Sequence, residues 1–207
     1  MSDSPELVLA TANPDKAREI AEILGYAVRL LPRPDALGEV DETGETLEDN
    51  ARLKAVAVVG FAGAPAVADD TGLEVDALGG APGVRSARYA GPGATYADNV
   101  RALLRALEGV PAGERTARFR TVALARWPDG REVLAAGSVE GAIAERARGE
   151  RGFGYDPVFV PAEGDGRTFA EMAPADKHRL SHRARALADL AVRLAAGGDD
   201  RRATGPR

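Results

Sequence analysis

The chain opens on a short apolar run, Glu6-Leu7-Val8-Leu9-Ala10, which reads as a buried strand, and residues 14–24 then read as a helix that begins on Pro14 and stops at Gly25. Residues 27–31 form a second short strand in this reading, followed by a loop marked by Pro32, Pro34 and Gly38 that reaches Thr43-Gly44. Leu47, Ala51, Ala55 and Val58 recur at helical spacing, so a helix is expected from Thr46 to about Val59. Ala66-Val67-Ala68 predicts a strand that ends at the turn-forming Asp69-Asp70-Thr71-Gly72, with a further strand over residues 73–77. The run Gly79-Gly80-Ala81-Pro82-Gly83 is a turn, and Thr95 or Tyr96 opens a helix to about Glu108. Residues 116–127 and 131–140 predict a long hairpin around Pro128-Asp129-Gly130. Leu180, Ala184, Leu187, Ala191 and Leu194 predict one helix over residues 174–195, and the tail from Gly197 onward reads as disordered.

Helices and strands alternate early while the hairpin dominates later. The expectation is therefore an α/β fold with a mixed sheet: one domain over residues 1–196, made of two lobes with a cleft between them, and a tail over residues 197–207. A length of 207 residues suits such a unit, and 44% hydrophobic content supplies its core.

The formal net charge of −5 opposes a function that rests on wrapping nucleic acid, whose affinity comes from Lys and Arg on phosphates, but leaves room for a small phosphate ligand. Cysteine is absent, which excludes a disulfide framework and a thiolate metal site. No segment approaches the ~18 apolar residues of a membrane span and no basic-then-apolar leader is visible, so the expected location is cytoplasmic, without a membrane partner. Lysine carries a sharper clue. In an arginine-rich chain it survives only at positions 16, 54 and 177, and an ammonium point charge is not interchangeable with a guanidinium fork at a phosphate site.

Three stretches carry candidate chemistry. Thr11-Ala12-Asn13-Pro14-Asp15-Lys16 lies between a strand and a helix, where free amides and the helix dipole favour phosphate. The plainer account is that Asn13 caps the helix and Lys16 is solvated; the P-loop pattern is absent. Asp69-Asp70 sits at a strand's end, where α/β clefts open, and two adjacent carboxylates call for a cation. Mg²⁺ fits that need, with Glu42 as a further ligand; the alternative is a solvated turn. Phe153-Gly154-Tyr155-Asp156 follows a glycine-rich stretch in which Phe153 or Tyr155 offers a stacking face, unless both aromatics are core. Lys177 and His182, near Arg183, belong to the last predicted helix. A zinc site on His178 and His182 is rejected, because Arg179 stands where the general-base Glu would be.

Taken in order, five motifs resemble the inosine triphosphate pyrophosphatase family: residues 11–16; Glu42-Thr43-Gly44 with Asn50-Ala51 and Lys54-Ala55; Ala68-Asp69-Asp70-Thr71-Gly72-Leu73; Gly79-Gly80-Ala81-Pro82-Gly83 with Ser86-Ala87-Arg88-Tyr89; and Gly152-Phe153-Gly154-Tyr155-Asp156-Pro157 followed by Lys177 and Ser181-His182-Arg183. The resemblance implies two α/β lobes around an elongated mixed sheet with a central substrate cleft, a homodimer, and Mg²⁺-dependent hydrolysis of non-standard purine nucleoside triphosphates (dITP/ITP, XTP/dXTP) to monophosphate and pyrophosphate. It assigns substrate binding to the stretch Thr11, Ala12, Asn13, Pro14, Asp15 and Lys16, with Thr11, Asn13 and Lys16 gripping phosphate oxygens, and metal binding to Glu42, Asp69 and Asp70. Asp70 is also implied as proton acceptor, with Lys16 assisting. Thr71 would touch substrate, while Phe153, Gly154, Tyr155, Asp156, Lys177, His182 and Arg183 would frame the base and sugar. Two departures stand out. Asp15 occupies a position that is often Gly, and is expected to point away from phosphate; Asp49 replaces the more usual Glu. The competing readings are a general phosphate-ester hydrolase on the same acids and a silent nucleotide sensor, separable by whether pyrophosphate, orthophosphate or nothing is released.

Overall fold

The computed structural model describes residues 5–199, with only the backbone described at residues 197–199. β1 (Glu6–Leu9) leads into α1 (Pro14–Leu24), β2 (Arg29–Leu31), α2 (Leu47–Ala62), β3 (Ala66–Val75) and β4 (Pro82–Gly83). Then come α3 (Tyr96–Ala106), β5 (Thr116–Arg126), β6 (Glu132–Ile143), β7 (Phe159–Pro161), α4 (Pro174–Leu180) and α5 (His182–Asp199). The sheet is mixed, in the order β2-β1-β3-β5-β6-β7, with β4 added to β3. β1 is parallel to both β2 and β3, while β4 with β3 and β7 with β6 are antiparallel. The chain divides into two compact units, and the division falls inside β3, β5, β6 and α5.

In the first unit (residues 5–70, 122–137 and 185–199 of those described), the helix starts are chemically specified. Asn13 caps α1 by accepting from the amides of Asp15 and Lys16, and Pro14 fills the first turn, where no amide partner is needed. Thr46 caps α2, and Gly63 ends it in the left-handed conformation (φ 63°). Leu7, Ile20, Leu24, Val67, Leu187 and Leu190 form the core, each side chain fully buried. Burial of this kind stabilises by roughly 1.5–3 kcal/mol per large apolar side chain.

The second unit (Thr71–Thr121 and Ser138–Ala184) has its own core of Leu73, Val75, Leu103, Phe119, Val139, Phe159 and Phe169. Its loops are pinned by polar side chains. Ser86 Oγ accepts from the Leu73 amide and donates to the Gly83 carbonyl, and Asn99 bonds Ala90 N and Ala87 O. The motif residues around Ser86 therefore hold backbone in place.

Three expectations are corrected. β3 does not stop at Ala68 but runs unbroken to Val75, because Asp69 and Asp70 find cationic partners that let them lie in a strand. The single C-terminal helix is two: Ser181 takes an extended conformation (φ −71°, ψ 147°), and its Oγ accepts from the Ala184 amide, restarting the chain as α5. α5 then continues to Asp199, past the Gly197 at which the sequence placed disorder; residues 200–207 of that tail lie outside the described residues. β7, three residues long, has no counterpart among the elements expected from the sequence.

Candidate functional site

The first unit gathers an acid and lysine cluster. Successive side chains of a strand leave it in opposite directions, yet Asp69 and Asp70 both lie near enough for their charges to act on Lys54. Each has its own lysine. Lys16, on the first turn of α1, lies 3.4 Å from Asp69 Oδ2, and Lys54 Nζ donates to Asp70 Oδ1 at 2.7 Å. Lys54 also donates to Glu42 Oε1 at 2.9 Å, so one ammonium draws two carboxylates together. Asn50, one turn before Lys54 and fully buried, ties the same parts: its Oδ1 accepts from the Gly44 amide at 2.8 Å and its Nδ2 approaches Asp70 Oδ2 at 3.4 Å. A Cβ on Gly44 would stand 2.7 Å from Asn50 Oδ1, which explains why the Glu42 loop needs glycine there.

These contacts set the protonation behaviour. Burial pushes the Asp70 carboxyl above the ordinary carboxylate range, against the pull of Lys54 and Lys16, and Glu42 adds to the rise. Burial works to lower Lys54, but the fields of Asp70, Asp69 and Glu42 outweigh it and hold the ammonium above its usual value. The centre thus joins a fixed cation to a carboxylate that accepts a proton more readily than a free one. Among the described residues no three His, Cys, Asp or Glu side chains form a ready-made metal cage.

At the α1 start, Thr11 Oγ1 accepts from the Asn13 amide and Asn13 Oδ1 serves the cap. The capping account of Asn13 is therefore correct: its Oδ1 is committed to the start of α1. Ala12 and Pro14 are exposed. Asp15 pairs with Arg18 on the helix surface. Asp49 completes the α2 cap with Thr46, so its shorter acid has a structural use.

The second unit gathers a cluster of aromatics and cations. Asp156, 3% exposed, is its anchor: Oδ2 accepts from the Phe153 amide at 2.9 Å and from Lys177 Nζ at 2.7 Å. Gly152 has φ 71°, and a Cβ there would meet Asp156 Oδ2 at 2.0 Å. Phe153, half-buried, has Lys177 Nζ 5.0 Å and Arg183 Cζ 5.4 Å from its ring centre, with the half-exposed Tyr96 ring 5.8 Å away. His182 is stacked on Phe119 at 4.4 Å, and Arg183 Nη2 donates to Thr71 Oγ1 at 3.1 Å. Gly154 adopts φ 62° beside them.

Tyr155 departs from the expected stacking role. It is a core residue, 5% exposed, whose hydroxyl donates to the Ser86 carbonyl at 2.9 Å; burial raises its pKa far above the usual phenol value. Phe153 alone of the two keeps an accessible face. Lys54 stands out in the sequence by its scarcity and Asn50 by its motif, but neither has a role assigned there, and Tyr96, Phe119 and Thr121 carry no such mark. A signal existed for the first two, since Asn50 and Lys54 are four apart among the buried positions of α2, where uncompensated polar groups do not persist.

An α/β protein with buried carboxylates held on lysines, and with cations grouped around an accessible aromatic ring, belongs to the class of enzymes that handle phosphorylated, flat-ringed ligands. The chain belongs to the Ham1 family, whose pattern it matches over residues 7–193. It is 52% identical over 193 residues to a protein of Symbiobacterium thermophilum named dITP/XTP pyrophosphatase, a match covering 92% of this chain and 95% of that one. Among solved structures, a HAM1 protein from Coxiella burnetii superposes with a TM-score of 0.83 at 39% identity, covering 93% of this chain and 99% of the other. A protein from Mycobacterium abscessus described as a nucleoside-triphosphatase / dITP/XTP pyrophosphatase gives 0.71 at 42% identity, covering 89% and 97%.

Proposed function

We propose that this chain hydrolyses non-standard purine nucleoside triphosphates, dITP/ITP and XTP/dXTP, to the nucleoside monophosphate and pyrophosphate. Its role is to clear them from the nucleotide pool before they enter DNA or RNA. The observation that carries the reading is the Glu42–Lys54–Asp70 contact, with Lys54 and Asp70 buried, beside Lys16 on Asp69: it supplies a proton acceptor and fixed positive charge in one unit. Support comes from family membership and from the names of the relatives.

Cleaving between the α and β phosphates requires an oriented water, a group that takes its proton, and positive charge on the phosphates. Asp70 takes the proton, its raised basicity suiting that task. Lys16, with Thr11 and Asn13 beside it, holds phosphate oxygens at the start of α1. Glu42 and Asp70 already converge on one cation, the Lys54 ammonium, and are hard oxygen donors; they fit Mg²⁺, with Asp69 as the further carboxylate. Mg²⁺ bound there would absorb charge developing on the phosphates. Phe153 stacks the base, and Lys177, His182 and Arg183 surround it. Donors directed at a 6-keto oxygen favour hypoxanthine and xanthine over adenine, whose 6-amino group would leave them unpaired. Thr71 lies against the substrate beside Arg183, from whose Nη2 its hydroxyl accepts.

A homodimer, which rests on the family resemblance, and a cytoplasmic location, which rests on the sequence pattern, complete the reading; the absence of a nucleic-acid partner rests on the net charge of −5. No helix among the described residues is long and apolar enough to cross a membrane. The test is product analysis with dITP, XTP, dGTP and dATP, in Mg²⁺ and in EDTA. Pyrophosphate from dITP and XTP in Mg²⁺ alone is expected. Stepwise orthophosphate would point to a general phosphohydrolase, and no product to a nucleotide sensor.

A further inference from the structure

Arg183 is among the largest side chains that the fold fully buries, at 2% exposure, and its guanidinium keeps its charge at any working pH. What grips the guanidinium fork therefore decides which of its donors a ligand meets. Nη2 donates to Thr71 Oγ1 at 3.1 Å, and Thr71 Oγ1 shares a 2.7 Å hydrogen bond with Thr121 Oγ1. Thr121 lies in β5 with no exposed surface, immediately before the buried apolar run Val122-Ala123-Leu124-Ala125. A buried hydroxyl is costly unless bonded, and here the bond leads to the residue that holds Arg183. Thr71 has one proton and two lone pairs. With a lone pair taken by Arg183, donation of its proton to Thr121 gives a chain polarised in one sense, in which each bond strengthens the next.

We propose that Thr121 is a positioning residue for base recognition: through Thr71 it fixes the setting of the Arg183 guanidinium beside the Phe153 ring, and with it the donors that meet a 6-keto oxygen. The three residues sit on β5, β3 and α5, all within the second unit. The inference rests on the reading of Arg183 as a base-contacting group and adds a residue that no contact with substrate would reveal.

Thr121→Val removes the hydroxyl at nearly constant volume, and Thr121→Ser keeps it. The experiment measures kcat and KM for dITP and dATP with Mg²⁺, together with melting temperatures. In Thr121→Val, KM for dITP rises about tenfold, as for loss of a hydrogen bond serving a charged group, while kcat and the efficiency with dATP stay near wild type. The preference for dITP narrows by the same factor, and Thr121→Ser retains it. Equal losses on both substrates, or an unchanged preference, overturn the proposal. Should Thr121→Val fail to fold, Thr121→Ala carries the same comparison. A wild-type protein that releases no pyrophosphate from dITP, or treats dITP and dATP alike, overturns the functional reading and this inference with it, before any variant is compared.

Discussion

Lys54 illustrates how one side chain can organise a site without touching the reacting bond. Its side chain is 9% exposed and its ammonium contacts both Glu42 and Asp70. Removing one partner of a buried ion pair leaves a charge without compensation, at a cost of about 3–5 kcal/mol. Lys54→Met is expected to lower the denaturation midpoint accordingly, and Asp70→Asn in the same chain to recover part of the loss, measured as a double-mutant cycle in urea. The gap between Lys54→Met and wild type should narrow as pH falls. The folded state already binds the Asp70 proton more tightly than the unfolded chain does, so acid favours the fold once the cation is gone. A single variant as stable as wild type at neutral pH would show that the pair carries no such coupling. The sequence pointed to Lys16, Lys54 and Lys177 by their scarcity, and all three sit on buried carboxylates. It could not assign each lysine to its acid, because those pairings close loops of 12 to 53 residues. Tyr155 shows the reverse: two residues from Phe153 and equally aromatic, it is consigned to the core, with a hydroxyl partner 69 residues away.

At the scale of elements, the break between α4 and α5 matters most. A continuous helix through residues 174–195 would place His182 and Arg183 mid-helix. Ser181 instead makes them the first two residues of α5, with its Oγ on the Ala184 amide. Ser181→Ala removes that cap, and a loss of about 1 kcal/mol is expected by chemical denaturation. KM for dITP should rise with little change in kcat, since the residues displaced are those assigned to the base; an unaltered KM would separate the cap from recognition. Periodicity favoured one helix because the apolar positions on both sides of Ser181 stay nearly in phase. The same failure of local signals explains β3. Asp-Asp-Thr-Gly is turn-forming by composition, yet the place of β3 between β1 and β5 in the sheet and the two lysines on its acids keep it extended. By contrast, α1 was legible to the residue and so was the start of α2, since Asn13, Pro14, Gly25 and Thr46 act locally, while α2 runs three residues past the expected Val59 to Ala62. β7 has only three residues, too few for any period to register.

Over the whole molecule, the chemistry is partitioned. The acids and lysines assigned to the phosphates belong to one compact unit and the aromatic and cationic groups assigned to the base to the other, with Asp70 and Thr71 adjacent in β3 at the point of division. Base recognition and bond cleavage are therefore separable by mutation: variants around Phe153 and Arg183 should act mainly on KM and on substrate preference, those around Asp70 on kcat. The central claim is that Asp70 takes the proton during pyrophosphate release, and the rate of that release from dITP in Mg²⁺ by Asp70→Asn against wild type tests it most directly. A fall in kcat of roughly 10²–10⁴-fold, in a variant that still folds and still binds dITP, is the result predicted. Turnover within a few-fold of wild type would contradict it and move the proton acceptor elsewhere.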